Sequence, residues 1–199
     1  MNSYKKIKFI NKKRIFPINL WNNITIKSFN YFFFIYHNYI KKNLYKDNFS
    51  NVVFPFYNKE IYFSLFGHKG FIESQILISK EKIHEFLEEF KRNINIHKPS
   101  ITIFSLKKMS GKQKYLRFED NKICLTFDMV NNKKNTNFLN EIYKLYIKYN
   151  VLPSIIKDSN LDKETFNRCY KEADIFREKL KKFDPKRAYR SQLSDKLNI

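Results

Sequence analysis

The sequence predicts an α+β fold built on a ferredoxin-like antiparallel sheet, and three observations carry that prediction. Between residues 71 and 157 the hydrophobic periodicity runs strand, helix, strand, strand, helix, strand. That is the order of the split β-α-β plan, in which two helices cover one face of a four-stranded sheet. Both helical stretches are amphipathic, so each has one face to bury. Hydrophobic residues make up 43% of the 199 and aromatics 18%, enough apolar surface for a packed core rather than a disordered chain.

Each element has its own signal. Residues 1–20 are basic and read as extended, with Pro17 as a stop, and 21–42 read as an aromatic helix that is apolar almost all round. Residues 43–60, broken by Pro55, read as loop, and a short helical or turn segment, 61–70, ends at Gly67 and Gly70. "FIESQILIS" (71–79) alternates as a strand. In 80–94, Ile83, Phe86, Leu87 and Phe90 share one helical face, with Ser79 as the expected N-cap. "SITIFSLKK" (100–108) is a β-branched strand, 114–120 reads as a short edge strand, and "NKICLTFDMV" (121–130) is a further strand. Residues 135–150 form the second amphipathic helix, with Phe138, Leu139, Ile142, Leu145, Tyr146 and Tyr149 on one side. "VLPSIIK" (151–157) reads as a strand whose Pro153 favours a sheet edge. Residues 162–183 are helical in two pieces, and 184–197 run from a proline break into a short helix. The chain thus divides into an N-terminal linker and aromatic segment, 1–70, and a sheet domain with a helical extension, 71–199.

Composition narrows the chemistry. There are only three glycines, and neither GxGxxG nor GxxxxGK[ST] occurs, so no Gly-rich phosphate cradle is expected on this chain. Cys124 and Cys169 are far apart with no CxxC, and the histidines at 37, 68, 84 and 97 lack ligand spacing. No disulfide framework and no metal site is expected. The net charge of +20 suits a phosphate-bearing partner, but the basic residues are spread along the chain, as codon usage in an AT-rich genome would also produce. A basic nucleic-acid-binding module on the same sheet is the alternative reading, although neither "ITIFSLKK" nor "ICLTFDMV" has the Gly-rich RNP1 pattern of an RNA-recognition module. The basic N-terminus is followed by no sustained apolar stretch, so a cytoplasmic location is expected. "FNYFFFIYHNYI" (29–40) is too short and too interrupted to span a bilayer. It suits either a peripheral position at the inner membrane surface or burial against another domain or subunit.

Four stretches carry a resemblance. They are "FPINLWNNITIKSFNYFFF" (16–34), "GFIESQILIS" (70–79), "ICLTFD" (123–128), and "IIKDSNLDKETFNRCY" together with "FREKLKKFDPKRAYRSQLSDKL". In this order the chain resembles the C-terminal region of FAD-linked oxidases of the vanillyl-alcohol-oxidase type, most of all the flavin subunit of decaprenylphosphoryl-β-D-ribose 2-epimerase. The likeness implies a cap, or substrate, domain that works with an FAD-binding domain or subunit of a different fold, on a polyprenyl-phosphate sugar. The cofactor it implies is FAD, bound mainly by that partner.

The resemblance also implies a site. Lys157 matches the lysine that sits beside the flavin and the sugar hydroxyl, where a fixed cation stabilises developing negative charge. Gln75 matches a glutamine lining the substrate site, and Cys124 a cysteine lining the pocket. Lys122 stands where the family has asparagine and Ser105 where it has an active-site lysine, with Lys107 the next cation on the same face. Ser154 replaces a family tyrosine and Glu73 a glutamine. Asp184 and Pro185 are expected to cap and end a helix, and Arg187 to reach a phosphate of the cofactor or to pair with Asp184.

Overall fold

The computed structural model describes residues 18–40 and 61–199. The basic stretch 1–17 and the loop 43–60 lie outside the described residues, as do the last two positions of the aromatic helix read over 21–42.

The sheet has the predicted topology. Strands β1 (Phe71–Ile78), β2 (Ile101–Lys108), β3 (Ile123–Val130) and β4 (Leu152–Pro153) lie in the order β2-β3-β1-β4. Every neighbouring pair is antiparallel. Helices α3 (Ile83–His97) and α4 (Lys133–Lys148) cover one face. Strand alternation explains which residues meet them. Ile72 and Ile76 of β1 and Leu125, Phe127 and Met129 of β3 are fully buried beneath Phe86, Phe90, Phe138, Leu139 and Ile142. Phe90 stacks edge-on against both Phe127 and Phe138, which ties the two helices to the middle of the sheet.

Around this sandwich the chain is locked by local chemistry. Asn132 caps α4, its side chain accepting from the Asn135 N–H. The buried Asn135 amide donates to the Val130 carbonyl and accepts from the Ser100 N–H, pinning the end of β3 to the start of β2. At the N-terminal side, α1 (Asn23–Ile35) opens with a reciprocal Asn22/Thr25 capping box and runs on into a π-helical turn, Tyr36–Ile40. A single turn, α2 (Ile61–Ser64), follows. Trp21, Tyr62, Phe66, Phe71, Ile103 and Val130 form a second, smaller apolar cluster beside the sheet. Gly67 closes that region at φ 65, and its Cα lies so near the backbone of Ile18 and Asn19 that a Cβ would meet it at 2.9 Å. The C-terminal helices α5 (Lys163–Cys169), α6 (Ala173–Phe183) and α7 (Gln192–Leu197) are as predicted, and Asp162 and Ser191 cap the first and last.

Three local expectations are corrected. Residues 114–120 are not a strand. Tyr115 adopts φ 54, which breaks the pleat, and its N–H is taken by the Glu172 carboxylate on the C-terminal helices. The strand read over 151–157 shrinks to two residues, because the chain leaves the sheet after Pro153. The expected cap Ser79 is also displaced: a turn over residues 80–82 intervenes, and α3 begins at Ile83 after Lys82, with no side-chain cap.

Candidate functional site

Alternation sends every second strand residue away from the helices. Ser74 hydrogen-bonds Tyr146 of α4 at 2.5 Å, so Glu73 and Gln75 face the other way. By the same parity Cys124, Thr126 and Asp128 of β3 share that open face, as do Ser105 and Lys107 of β2. Register brings them side by side: Gln75 lies opposite Thr126, which lies opposite Ser105; Lys107 lies opposite Cys124, and Glu73 opposite Asp128. The Gln75 amide donates to the Thr126 hydroxyl at 3.1 Å.

Lys157 reaches the same face from the sheet edge. After Pro153 the Ser154 N–H donates to the Gln75 carbonyl (2.7 Å), and the Ser159 N–H rejoins β1 at the Glu73 carbonyl (3.1 Å). Residues 155–158 between these two anchors bulge off the edge. Asp158 points inward, 2% exposed, accepting from the hydroxyls of Tyr143 (2.6 Å) and Ser74 (2.7 Å). Lys157 points outward, its ammonium 2.9 Å from the Glu73 carboxylate. The Lys-Asp-Ser triplet therefore works as one device. Asp158 and Ser159 anchor the turn from below and from the side, and Lys157 is held above Glu73.

Burial tunes this face. Asp128 is 7% exposed, and its carboxyl is pushed up to about 6, first by desolvation and then by the neighbouring Glu73 charge. The Tyr62 hydroxyl donates to it at 3.1 Å and pairs with Thr102 at 2.7 Å. Burial also raises the Cys124 thiol, against the pull of the Thr126 hydroxyl and of the Lys107 and Lys157 charges. The thiol is thus protonated at neutral pH and is no activated nucleophile. Below the sheet, desolvation pushes the Asp158 carboxyl up to about 6 as well, although Tyr143 and Ser74 favour its charge.

Lys157, Gln75, Ser105 and Lys107 thus gather on one open face, and Cys124 lies on the same side of the sheet but is buried, 2% exposed. Two expected residues stand apart from that cluster. Lys122 precedes β3, and its ammonium is held by Asp120 at 2.7 Å. Arg187 lies in the turn after α6, facing Asp195 of α7 at 3.7 Å. Asp184, as expected, ends α6 and accepts from the N–H groups of Ala188 and Tyr189, which hold its carboxyl below the usual range. Sequence reasoning missed Asp128, Thr126 and Tyr62. The two strand residues had a signal in their even spacing from Cys124; Tyr62, from a separate turn, had none.

The face can donate and accept hydrogen bonds and supplies cations at two points. It does not fit the pyrophosphate of a dinucleotide. Gly67 is filled by neighbouring backbone and Gly111 by the Glu119 side chain, and Gly70, open at φ 66, is a single glycine in the turn before β1, so no Gly-rich phosphate cradle forms. Three concavities of about 370, 380 and 430 Å³ border the N-terminal segment or α3, and none is lined by Lys157, Gln75, Cys124, Ser105 or Lys107. Among the described residues no His/Cys/Asp/Glu cluster could hold a metal, and no helix is long and apolar enough to cross a membrane.

Fold and face together define an α+β protein with a helix-backed antiparallel sheet and a polar, partly charged open side. No family model matches the chain. No curated protein matches it either.

Proposed function

We propose that this chain is the substrate-binding cap portion of an FAD-dependent sugar oxidoreductase, acting on a secondary hydroxyl of a polyprenyl-phosphate pentose or related sugar. The observation that supports it is the convergence of Lys157, Gln75, Cys124, Ser105 and Lys107 on one sheet face, with Lys157 fixed by a purpose-built turn. FAD would be held by protein outside the described residues, and when bound it supplies the acceptor for the hydride. The work of this chain is to bind and orient. The Lys157 ammonium receives the sugar oxygen on which charge develops. Gln75, Thr126 and Ser105 offer amide and hydroxyl groups in register for the remaining sugar hydroxyls. Lys107, at the other end, is placed for an anionic substituent. The exposed aromatic residues of α1, Phe29, Phe32 and Phe33 among them, suit a membrane-surface or partner contact near a lipid-linked substrate.

The nucleic-acid reading has no comparable support. An RNA-binding sheet presents stacked aromatics at its centre, whereas the centre of this face carries Gln75, Thr126, Glu73 and Asp128. The test is co-expression with an FAD-binding chain encoded alongside, followed by anaerobic flavin reduction with a polyprenyl-phosphate pentose. Reduction that falls at least a hundredfold with Lys157→Ala supports the proposal. A pair that binds no FAD, or a Lys157→Ala variant that reduces flavin normally, refutes it.

A further inference from the structure

We infer that the free edge of β2 and the groove beside it form a docking site for an extended acidic peptide, which joins the sheet as an added strand. This edge stands apart from the open face, so the oxidoreductase reading neither supports nor limits it.

The sheet order β2-β3-β1-β4 leaves two edges, and they are built differently. On the β4 side only Leu152 and Pro153 pair, and the Ser154 and Ser159 N–H groups close onto β1 around them. On the other side β2 runs for eight residues, and no described strand lies beyond it. The Met109 N–H donates to the Lys122 carbonyl at 2.9 Å, which fixes the alternation of the β2–β3 ladder. Ser105 and Lys107 turn their backbone groups to β3, whereas the N–H and C=O groups of Phe104, Leu106 and Lys108 point outward. An open row of this kind accepts a further strand.

Apolar surface lies along the same edge. Phe104 and Leu106 are on the helix side by strand parity, yet they remain 44% and 48% exposed. The Phe104 ring meets that of Phe90 with centroids 5.7 Å apart. Two concavities of about 370 and 430 Å³ share Ile94, Pro99 and Ile101 and so make one groove between α3 and β2. A strand added to β2 lays every second side chain over this groove.

Charge chooses the occupant. The ionisable residues lining the groove are Lys27, Lys91 and Lys98 against Glu88, and β2 ends in Lys107 and Lys108. A second copy would bring a further +20 to this edge. An acidic strand with apolar residues at alternate positions suits both features: the edge and groove take its backbone and apolar side chains, and the lysines take its carboxylates.

The whole chain is titrated with fluorescein-labelled Glu-Val-Glu-Val-Glu-Val-Glu at low salt, read by anisotropy and by two-dimensional NMR. The expected result is saturable binding that newly protects the Phe104, Leu106 and Lys108 amides from hydrogen exchange, with Ser105 and Lys107 protected from the start. Lysine in place of glutamate in the peptide should lower affinity by about tenfold, and Lys91→Glu, on the exposed side of α3, by about threefold. Peptides N-methylated only on the valines or only on the glutamates should differ by about tenfold, because an added strand turns just alternate amides to its neighbour. Diffuse attraction to a basic chain would not separate those two. Absence of binding, equal affinity of the two methylated peptides, or equal binding of the lysine peptide overturns the inference. Protection of the three amides in the free chain also overturns it: sedimentation as a dimer then assigns the edge to a second copy, and sedimentation as a monomer assigns it to the chain itself.

Discussion

The buried carboxylate beneath Lys157 makes a sharp prediction about stability and pH. Asp158 has an ordinary value of 3.8 in the unfolded chain and is held near 6 in the folded one, chiefly by desolvation. A raised folded value means that the native state binds the proton more tightly. The contribution is therefore fully present below about 3.8 and is lost as pH rises through 6. Lowering the pH from 7 to 5 should add about 1.3 kcal/mol of stability through this group alone. Asp158→Asn removes the titration while keeping an oxygen for the Tyr143 hydroxyl (2.6 Å) and leaving the Ser74 hydroxyl free to turn toward a new partner. Urea unfolding at pH 7 and pH 5, followed by circular dichroism, reads the change. The variant should gain about 1.3 kcal/mol less than the wild type over that range, with an unchanged denaturant slope. Asp128, also held near 6, continues to titrate in both proteins and cancels in the difference. If wild type and variant gain equally, Asp158 is not buried as a carboxylate and the account of the Lys157 turn fails.

Other outcomes follow from packing and geometry. Phe127→Ala, at a fully buried position between Phe90 and Phe138, should cost about 3–5 kcal/mol in urea unfolding, and a loss under 1 kcal/mol would contradict the core described. Gly67→Ala forces a Cβ against the Ile18–Asn19 backbone at a positive φ, and should lower stability by about 1 kcal/mol or more in the same assay. The Glu73–Lys157 pair is half exposed on the lysine side, so Glu73→Gln should change the melting free energy by less than about 1 kcal/mol. A larger loss would recast the pair as structural. Burial pushes the Cys169 thiol up to about 12, so its alkylation by iodoacetamide at pH 7.5 should track global unfolding across a urea series; rapid labelling in buffer would show that α5 is not packed as described.

Local pattern made much of this molecule legible. The period-two runs at 71–79, 100–108 and 121–130 placed three strands within two residues of their observed ends, because each has one face to bury and one to leave open. The amphipathic runs placed α3 and α4 for the same reason. Parity along a strand also sufficed to put Gln75 with Glu73 on a common face, whereas Lys122, read as sharing the face of Cys124, falls before β3 and pairs with Asp120. The strand read over 114–120 failed because a left-handed Tyr115 and a distant carboxylate, Glu172, overrode a locally plausible alternation.

By itself, then, the amino-acid sequence determined the order of elements, the helix-backed sheet and the sidedness of each strand, since those depend on neighbours a few residues apart. Only the tertiary structure decided which sides meet. It set Glu73 against Asp128 across β1 and β3, brought Tyr62 over Asp128 from 66 residues away, and buried Asp158 under Tyr143 and Ser74 so that Lys157 is held over the sheet. Those relations rest on strand register and on the desolvation of particular carboxylates, and both exist only once distant segments have packed.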